Sequence, residues 1–451
     1  MEKSPGKLSR IVLVPCPAQG HLSPILQLGA VLHSQYGLSI TVVHTNFNFP
    51  KNQPPPFRFI SMPDHLSDED ISSNDFINVM SKLNINCKVP FRDVLGNLVQ
   101  QAGGEEAGVA CVIYDGVMHF PEEVARELGI QSMVFRTLCA GNIRIYKEYP
   151  RLVKEGYIPV HESKSLDDVP GLHPLRLKDL PVYKLKGYEG LLRLLEKACE
   201  TGSSSAIIIN TTEALDREAL MELQKQHHIP VLAVGPLHKI APPVSSSLLE
   251  EDGNCIRWLD KQAKNSVLYV SIGSIASVDE KELIEMAWGL ANSKQPFLWV
   301  IRPGSVCGSE WTELLPEGFN ESIRERGLII KWAPQKEVLA HESTGGFWSH
   351  CGWNSTLESI SEGVPMICTP SFGDQRVNTR YLCHVWKVGI VVENMERKEI
   401  DKAVRKLMVG EEGEMVRQRM MELKTRVDCS IKEGGSSDNS LHELVNLIPS
   451  V

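Results

Sequence analysis

The chain has 451 residues, 42% apolar and 23% charged, with 47 Lys and Arg against 56 Asp and Glu, for a formal charge of −9. This length calls for two or three domains, and the composition excludes wholesale disorder, collagen-like repeats and coiled coil. The acidic balance, with no block of Lys or Arg, argues against nucleic acid or an anionic membrane as partner.

No apolar stretch reaches the roughly 18–20 residues that a bilayer span needs. Residues 1–8 are polar and lack a signal-peptide apolar region. The 11 cysteines include no Cys-x-x-Cys pair, so reduced thiols and no metal site are expected in a cytoplasmic protein. Asn-x-Ser/Thr matches at Asn210, Asn320 and Asn354 are read as chance.

In chain order, residues 11–14 form a β-rich run broken by Pro15 and Pro17. Residues 24–36 have an amphipathic helical pattern closed by Gly37. Strands are predicted at 39–43 and 57–60, then at 109–114, ending in Asp115. A helix over about 121–128 stops at Gly129, ahead of strands at 132–135, 206–209 and 231–234. Short continuous apolar runs separated by helices mark strands buried on both faces of a parallel sheet.

Residues 235–254 break the rhythm with Pro236, Pro242, Pro243, three consecutive serines and Glu250-Glu251-Asp252, the composition of an exposed linker. The alternation then restarts, with strands predicted at 267–270, 297–301, 328–330, 346–348, 366–368 and 390–392 and a helix at 280–290. The expected fold is α/β, two doubly wound domains over 1–240 and 255–434 joined by a linker at 241–254. Open sheets of this kind place ligands in a cleft at the carboxyl ends of their strands.

Gly20-His21 follows the first strand, which puts an imidazole at that sheet edge, and Asp115 ends another strand on the same edge. A carboxylate bonded to one imidazole nitrogen fixes the tautomer and leaves the other nitrogen as a general base. Asp115 alone equally suits a helix N-cap. No Gly-x-Ser-x-Gly elbow accompanies the pair, which weakens a hydrolase reading.

Residues 345–358 read as strand, glycine-bearing loop and helix start. Gly352 allows close approach of an anion, and His350, Asn354 and Ser355 add polar groups around it. This is neither a Gly-x-Gly-x-x-Gly fingerprint, so nicotinamide oxidoreduction has no support, nor a Walker loop. The plain alternative is a capped helix packed on a sheet. Ser271-Ile272-Gly273-Ser274 offers a second turn for the same anion, and Asp374-Gln375 suits polyhydroxyl recognition.

The stretch from Trp332-Ala333-Pro334-Gln335 to Asp374-Gln375 resembles the signature box of plant secondary-product UDP-glycosyltransferases of family 1. The resemblance extends over essentially the whole chain, including Pro17-Ala18-Gln19-Gly20-His21. His44-Thr45-Asn46-Phe47-Asn48 and Leu83-Asn84-Ile85-Asn86-Cys87 are similar to the subgroup containing steviol-glycoside and cytokinin glucosyltransferases.

The resemblance implies the GT-B fold, with residues 1–240 and a carboxyl-terminal helix at about 435–451 binding the acceptor and 255–434 binding the UDP-sugar. It implies that Trp332 stacks on uracil, Ala333 and Gln335 complete base and ribose contacts, and Glu358 accepts from the ribose. His350, Asn354, Ser355 and Ser274 would hold the diphosphate, and Trp353, Asp374, Gln375 and Thr137 the sugar. Gln375 favours UDP-glucose as donor substrate, with no permanent cofactor. His21 and Asp115 fall at the catalytic base and its orienting carboxylate.

The expected reaction is metal-independent, inverting glucosyl transfer that forms a β-glucoside. Acceptors would be small lipophilic metabolites such as terpenoids, flavonoids or hormones, taken at a hydroxyl, nitrogen or carboxylate. Family analogy puts the acceptor near Met80, Leu83, Phe120, Cys139, Asn142 and Ile145, in a monomer. The rival readings are a catalytically silent UDP-sugar-binding protein, against which the intact His21 and Asp115 speak, and the same transferase with a donor other than UDP-glucose.

Overall fold

The computed structural model describes residues 9–49, 53, 56–73, 75–101, 107–183, 187–244, 246–307 and 311–450. Seven parallel strands form the first sheet: β1 (Arg10–Val14), β2 (Ser39–Thr45), β3 (Arg58–Met62), β4 (Val109–Asp115), β5 (Gln131–Arg136), β6 (Ile207–Ile209) and β7 (Val231–Ala233). Their order is β3-β2-β1-β4-β5-β6-β7. Six more form a second parallel sheet: β8 (Val267–Ser271), β9 (Phe297–Val300), β10 (Gly327–Ile330), β11 (Thr344–Ser349), β12 (Met366–Cys368) and β13 (Gly389–Val391), in the order β10-β9-β8-β11-β12-β13. Each predicted apolar run is one of these strands.

The central strands β1 and β4 are almost continuously apolar and buried on both faces. Along β1, Ile11 and Leu13 enter one apolar cluster and Val12 and Val14 another, all fully buried. In β4, Cys111 and Ile113 divide from Val112 and Tyr114 in the same way. Period-two alternation produces the division, and each large apolar side chain so buried contributes about 1.5–3 kcal/mol.

The chain divides into two compact units. The first comprises Met1–Gly156, Lys186–Leu248 and Cys429–Val451, and the second Tyr157–Leu185 and Leu249–Asp428. The helix Ser436–Asn446 belongs to the first unit, where Leu441 and Leu444 are buried and Ser437 Oγ donates to the Gly235 carbonyl at 2.6 Å. A continuous 1–240 domain does not anticipate the assignment of 157–185 to the second unit. That segment is tied to the rest of the second unit by polar contacts: Arg380 Nε donates to the Pro174 carbonyl at 2.8 Å, and Lys178 pairs with Glu393 at 2.8 Å.

The helix after β1 also begins earlier than its apolar pattern suggests, at Gln19 and ahead of Pro24. The Ala18 carbonyl accepts from the amides of His21 and Leu22, at 2.9 and 2.8 Å, so the first turn is already closed. His21 therefore sits inside that turn, where the helix fixes its Cα. Gly37 ends the helix in the left-handed conformation at φ 69°, as its position predicts. Among the described residues no helix is long and apolar enough to cross a membrane.

Candidate active site

In the first sheet the chain runs outward from β1 to β3, then returns to place β4 on the other side of β1. Beyond the carboxyl ends of β1 and β4 the connections diverge, which is where doubly wound sheets bind ligands. His21 stands in the helical turn that follows β1, and Asp115 is the last residue of β4. His21 Nδ1 lies 2.8 Å from Asp115 Oδ2, and the other carboxylate oxygen accepts from Val117 N–H at 2.9 Å.

The His21 side chain is 21% exposed and that of Asp115 only 2%, so the imidazole reaches solvent while its carboxylate is sealed. With Nδ1–H donating to Asp115, the ring is in the tautomer whose lone pair is on Nε2. Thr137, just beyond β5 and 5% exposed, places Oγ1 3.1 Å from His21 Nδ1. Thr137 thus lies against the His21–Asp115 pair. Beneath them, burial and the nearby Asp115 charge push the Cys16 thiol well up, keeping it protonated.

The second sheet has the same divergence between β8 and β11. Ser349 ends β11, and its Oγ accepts from Cys351 N–H at 3.0 Å. Cys351 is left-handed at φ 64°, a turn that non-glycine residues seldom adopt. The helix Trp353–Glu362 then opens at Gly352, whose carbonyl accepts from Thr356 N–H at 2.9 Å and which provides no side-chain cap. The amides of residues 353–355 therefore precede the first intrahelical donor, Thr356 N–H, at the positive end of the helix.

His350 packs between two glycines. Gly273, at φ 82°, and Gly352 leave room for its ring, since a Cβ on either would fall 2.5 or 2.6 Å from Nε2. Burial lowers the His350 pKa to about 4, partly opposed by a bond to the Ser271 backbone, so the ring is neutral at neutral pH. Its Nδ1 is buried with no protein partner. An orphaned buried polar atom beside a helix amino terminus fits a ligand that carries oxygen atoms, such as a diphosphate. Ser274, partly buried after Gly273, lies on the same turn.

Around this loop the other predicted residues separate by role. Trp332 is partly buried, with its carbonyl accepting from Asp252 N–H at 2.9 Å, and Ala333 is 4% exposed. Gln335 spends its amide internally: Nε2 donates to Glu358 Oε2 at 2.7 Å and Ser355 Oγ at 3.0 Å, and Oε1 accepts from Tyr269 OH at 3.3 Å. Gln335 thus orients Glu358 and Ser355. Burial raises the Glu358 carboxyl above its ordinary pKa, with the Gln335 bond pulling it back.

Gln375 Oε1 accepts from the amides of Ser371 and Phe372, at 2.8 and 3.0 Å. Two N–H donors at one end identify that end as oxygen and turn the NH₂ toward other acceptors. Asp374 Oδ2 accepts from Asn378 Nδ2 at 2.8 Å, and the same nitrogen donates to the Cys351 carbonyl at 2.9 Å. Asn378, 1% exposed, ties the loop after β11 to the Asp374 turn. The sequence carries no signal of the tie to Cys351, because that partner is a backbone carbonyl remote in the chain.

The six acceptor candidates are interior residues in this structure. Met80, Leu83 and Asn142 have no exposed surface, and Phe120, Cys139 and Ile145 have 3% or less. Met80, Leu83 and Phe120 belong to the apolar core, while Cys139 Sγ accepts from the Asn142 side chain at 3.1 Å. Met80 Sδ accepts from the Cys16 thiol at 3.4 Å.

Residues 250–426 match the family model of UDP-glucoronosyl and UDP-glucosyl transferases. The chain is 48% identical over 451 residues to UDP-glycosyltransferase 76E11 of Arabidopsis thaliana, covering 99% of this chain and 98% of that one. It is 47% identical to flavonol 3-O-glucosyltransferase UGT76E12 of the same plant, covering 99% and 98%. Phytolacca americana UGT2, solved with UDP-2fluoro-glucose and pterostilbene, superposes with a TM-score of 0.79 at 31% identity over 99% of this chain and 100% of that one. A UDP-glucose:anthocyanidin 3-O-glucosyltransferase in complex with UDP gives 0.84 at 26% identity over 97% and 98%.

The fold is therefore GT-B, and the enzyme is a glycosyltransferase that uses a UDP-sugar. The chain belongs to the plant family 1 UDP-glycosyltransferases.

Proposed function

We propose that the enzyme transfers glucose from UDP-glucose, with inversion, to a hydroxyl of a small apolar plant secondary metabolite, forming a β-glucoside. The observation that carries this reading is the 2.8 Å bond between His21 Nδ1 and Asp115 Oδ2. It supplies a neutral imidazole whose Nε2 takes the acceptor proton as the oxygen attacks, while Asp115 stabilises the imidazolium that forms. Attack on the face opposite the departing UDP makes a single displacement, hence inversion.

The charge that develops on the leaving diphosphate is met by the helix opening at Gly352, with His350, Asn354, Ser355 and Ser274 around it. Trp332 and Ala333 take the uracil, and Glu358, aligned by Gln335, takes the ribose hydroxyls. Asp374 and the Gln375 NH₂ address the sugar hydroxyls, which supports glucose, with the Trp353 backbone and Thr137 assigned to the same sugar. Because fixed dipoles do the electrostatic work, the rate should be unaffected by a chelator.

Phenolic acceptors are favoured, since a flavonol, an anthocyanidin and pterostilbene occur in the names of the relatives. The resemblance adds a cytoplasmic monomer and an acceptor bounded by Met80, Leu83, Phe120, Cys139, Asn142 and Ile145. The test is to incubate the enzyme with UDP-glucose and a flavonol and to assign the anomeric configuration of the product by NMR. A β-glucoside from wild type, lost in His21→Ala, supports the reading; an α-linked product or full activity in His21→Ala sinks it.

A further inference from the structure

Asn84 stands on the helix Phe76–Asn86, 7% exposed, and uses every hydrogen-bonding site it has. Its Nδ2 donates to the carbonyls of Met80 and Val117, each at 2.9 Å. Its Oδ1 accepts from the backbone N–H of His119 at 2.8 Å and of Phe120 at 3.4 Å. A carboxamide has two donor hydrogens and two acceptor lone pairs, so the set is complete. Two N–H groups facing one end and two carbonyls facing the other also leave no ambiguity about which end is oxygen.

The helix Phe120–Glu127 needs this help. His119 makes no side-chain cap of its own, and Pro121 has no N–H to offer. Asn84 caps that helix from a different one. Val117, held through its carbonyl, is also the residue whose N–H donates to Asp115 Oδ1. Met118 N–H closes the same turn onto the Asp115 backbone carbonyl at 2.8 Å. The turn after β4 is thus fastened to Asp115 at one end and to Asn84 at the other.

We propose that Asn84 is a positioning residue for catalysis, acting through Val117 to fix the rotation of the Asp115 carboxylate. A carboxylate rotates readily about its last bond, so without a fixed Val117 N–H on Oδ1 the other oxygen is not held toward the ring. With it, Oδ2 meets His21 Nδ1 and selects the tautomer that has the Nε2 lone pair. The inference rests on the reading of His21 as general base, and nothing in it requires Asn84 to touch substrate.

The experiment is ¹⁵N NMR of the His21 ring in the full-length protein, paired with kinetics on UDP-glucose and a flavonol. Asn84→Asp keeps an oxygen for the helix cap but replaces the donor to Val117; Asn84→Ala removes both; Asp115→Asn is the control. The expected result is a loss of the Nδ1-protonated tautomer in Asp115→Asn and a partial loss in both Asn84 variants. Their kcat should fall about tenfold or more, with KM for UDP-glucose within about twofold, because misorientation acts on the chemical step. A folded Asn84 variant with wild-type tautomer and kcat overturns the proposal, even if its melting temperature drops. Should His21→Ala retain full activity, the general-base reading fails by itself, while the ¹⁵N spectra still decide whether Asn84 orients the pair.

Discussion

The imidazole of His350 occupies the space that a side chain at Gly273 would need: a Cβ there would lie 2.5 Å from Nε2. Gly273 is also at φ 82°, where other residues are strained. The two residues are far apart in sequence yet depend on each other, because the ends of β8 and β11 are neighbours in the sheet.

Gly273→Ala should therefore displace the His350 ring from its place beside the helix terminus. The protein should still fold, with UDP affinity reduced about tenfold, equivalent to about 1.4 kcal/mol. Titration calorimetry with UDP measures this directly, and wild-type affinity in Gly273→Ala would show that His350 has no part in holding the diphosphate.

His350 also makes a pH prediction. Its pKa falls from 6.5 to about 4, so between those values the unfolded chain takes up a proton that the folded chain refuses. Stability from this group is intact above about pH 6.5 and declines as pH drops toward 4, by at most about 3 kcal/mol. His350→Gln should remove that part of the acid sensitivity. Urea midpoints of both proteins at pH 7 and pH 5 provide the comparison; equal losses in the two would contradict it.

For the catalytic pair, His21→Ala should lower kcat by about 10²–10⁴ on an alcohol or phenol acceptor. Asp115→Asn should also lower kcat, because an amide offers Nδ1 no charge and permits the wrong tautomer. Neither change touches the residues around the loop after β11, so UDP binding should stay at the wild-type level. Steady-state kinetics beside UDP calorimetry separates the two effects.

Gln375→Ala should act on both structure and donor. The amides of Ser371 and Phe372 lose their acceptor, a cost of about 0.5–1.5 kcal/mol per bond because both residues are exposed to water. The sugar also loses the NH₂ that faces away from the loop. KM for UDP-glucose should rise more than Kd for UDP, since UDP has no sugar. An equal effect on both would assign Gln375 to loop structure alone.

The sequence by itself determined the two parallel sheets, because strands buried on both faces must be continuously apolar and the intervening helices must punctuate them. It also brought together the residues proposed for the donor. His350, Gly352, Asn354, Ser355 and Glu358 follow β11 within a single loop and helix, so their proximity is a matter of local chain geometry. Tertiary structure alone decided the rest. His21 and Asp115 are brought to 2.8 Å only because β1 and β4 pair across the reversal in strand order. The ties of Asn84 to the Val117 carbonyl and of Asn378 to the Cys351 carbonyl were invisible in the sequence, since those partners are backbone atoms of distant segments and an asparagine's chemistry does not announce which carbonyl it will meet. Only packing shows that the Gln335 amide also bonds Tyr269, Ser355 and Glu358. A motif records which side chains are present; three-dimensional packing decides which of their hydrogen bonds are already taken.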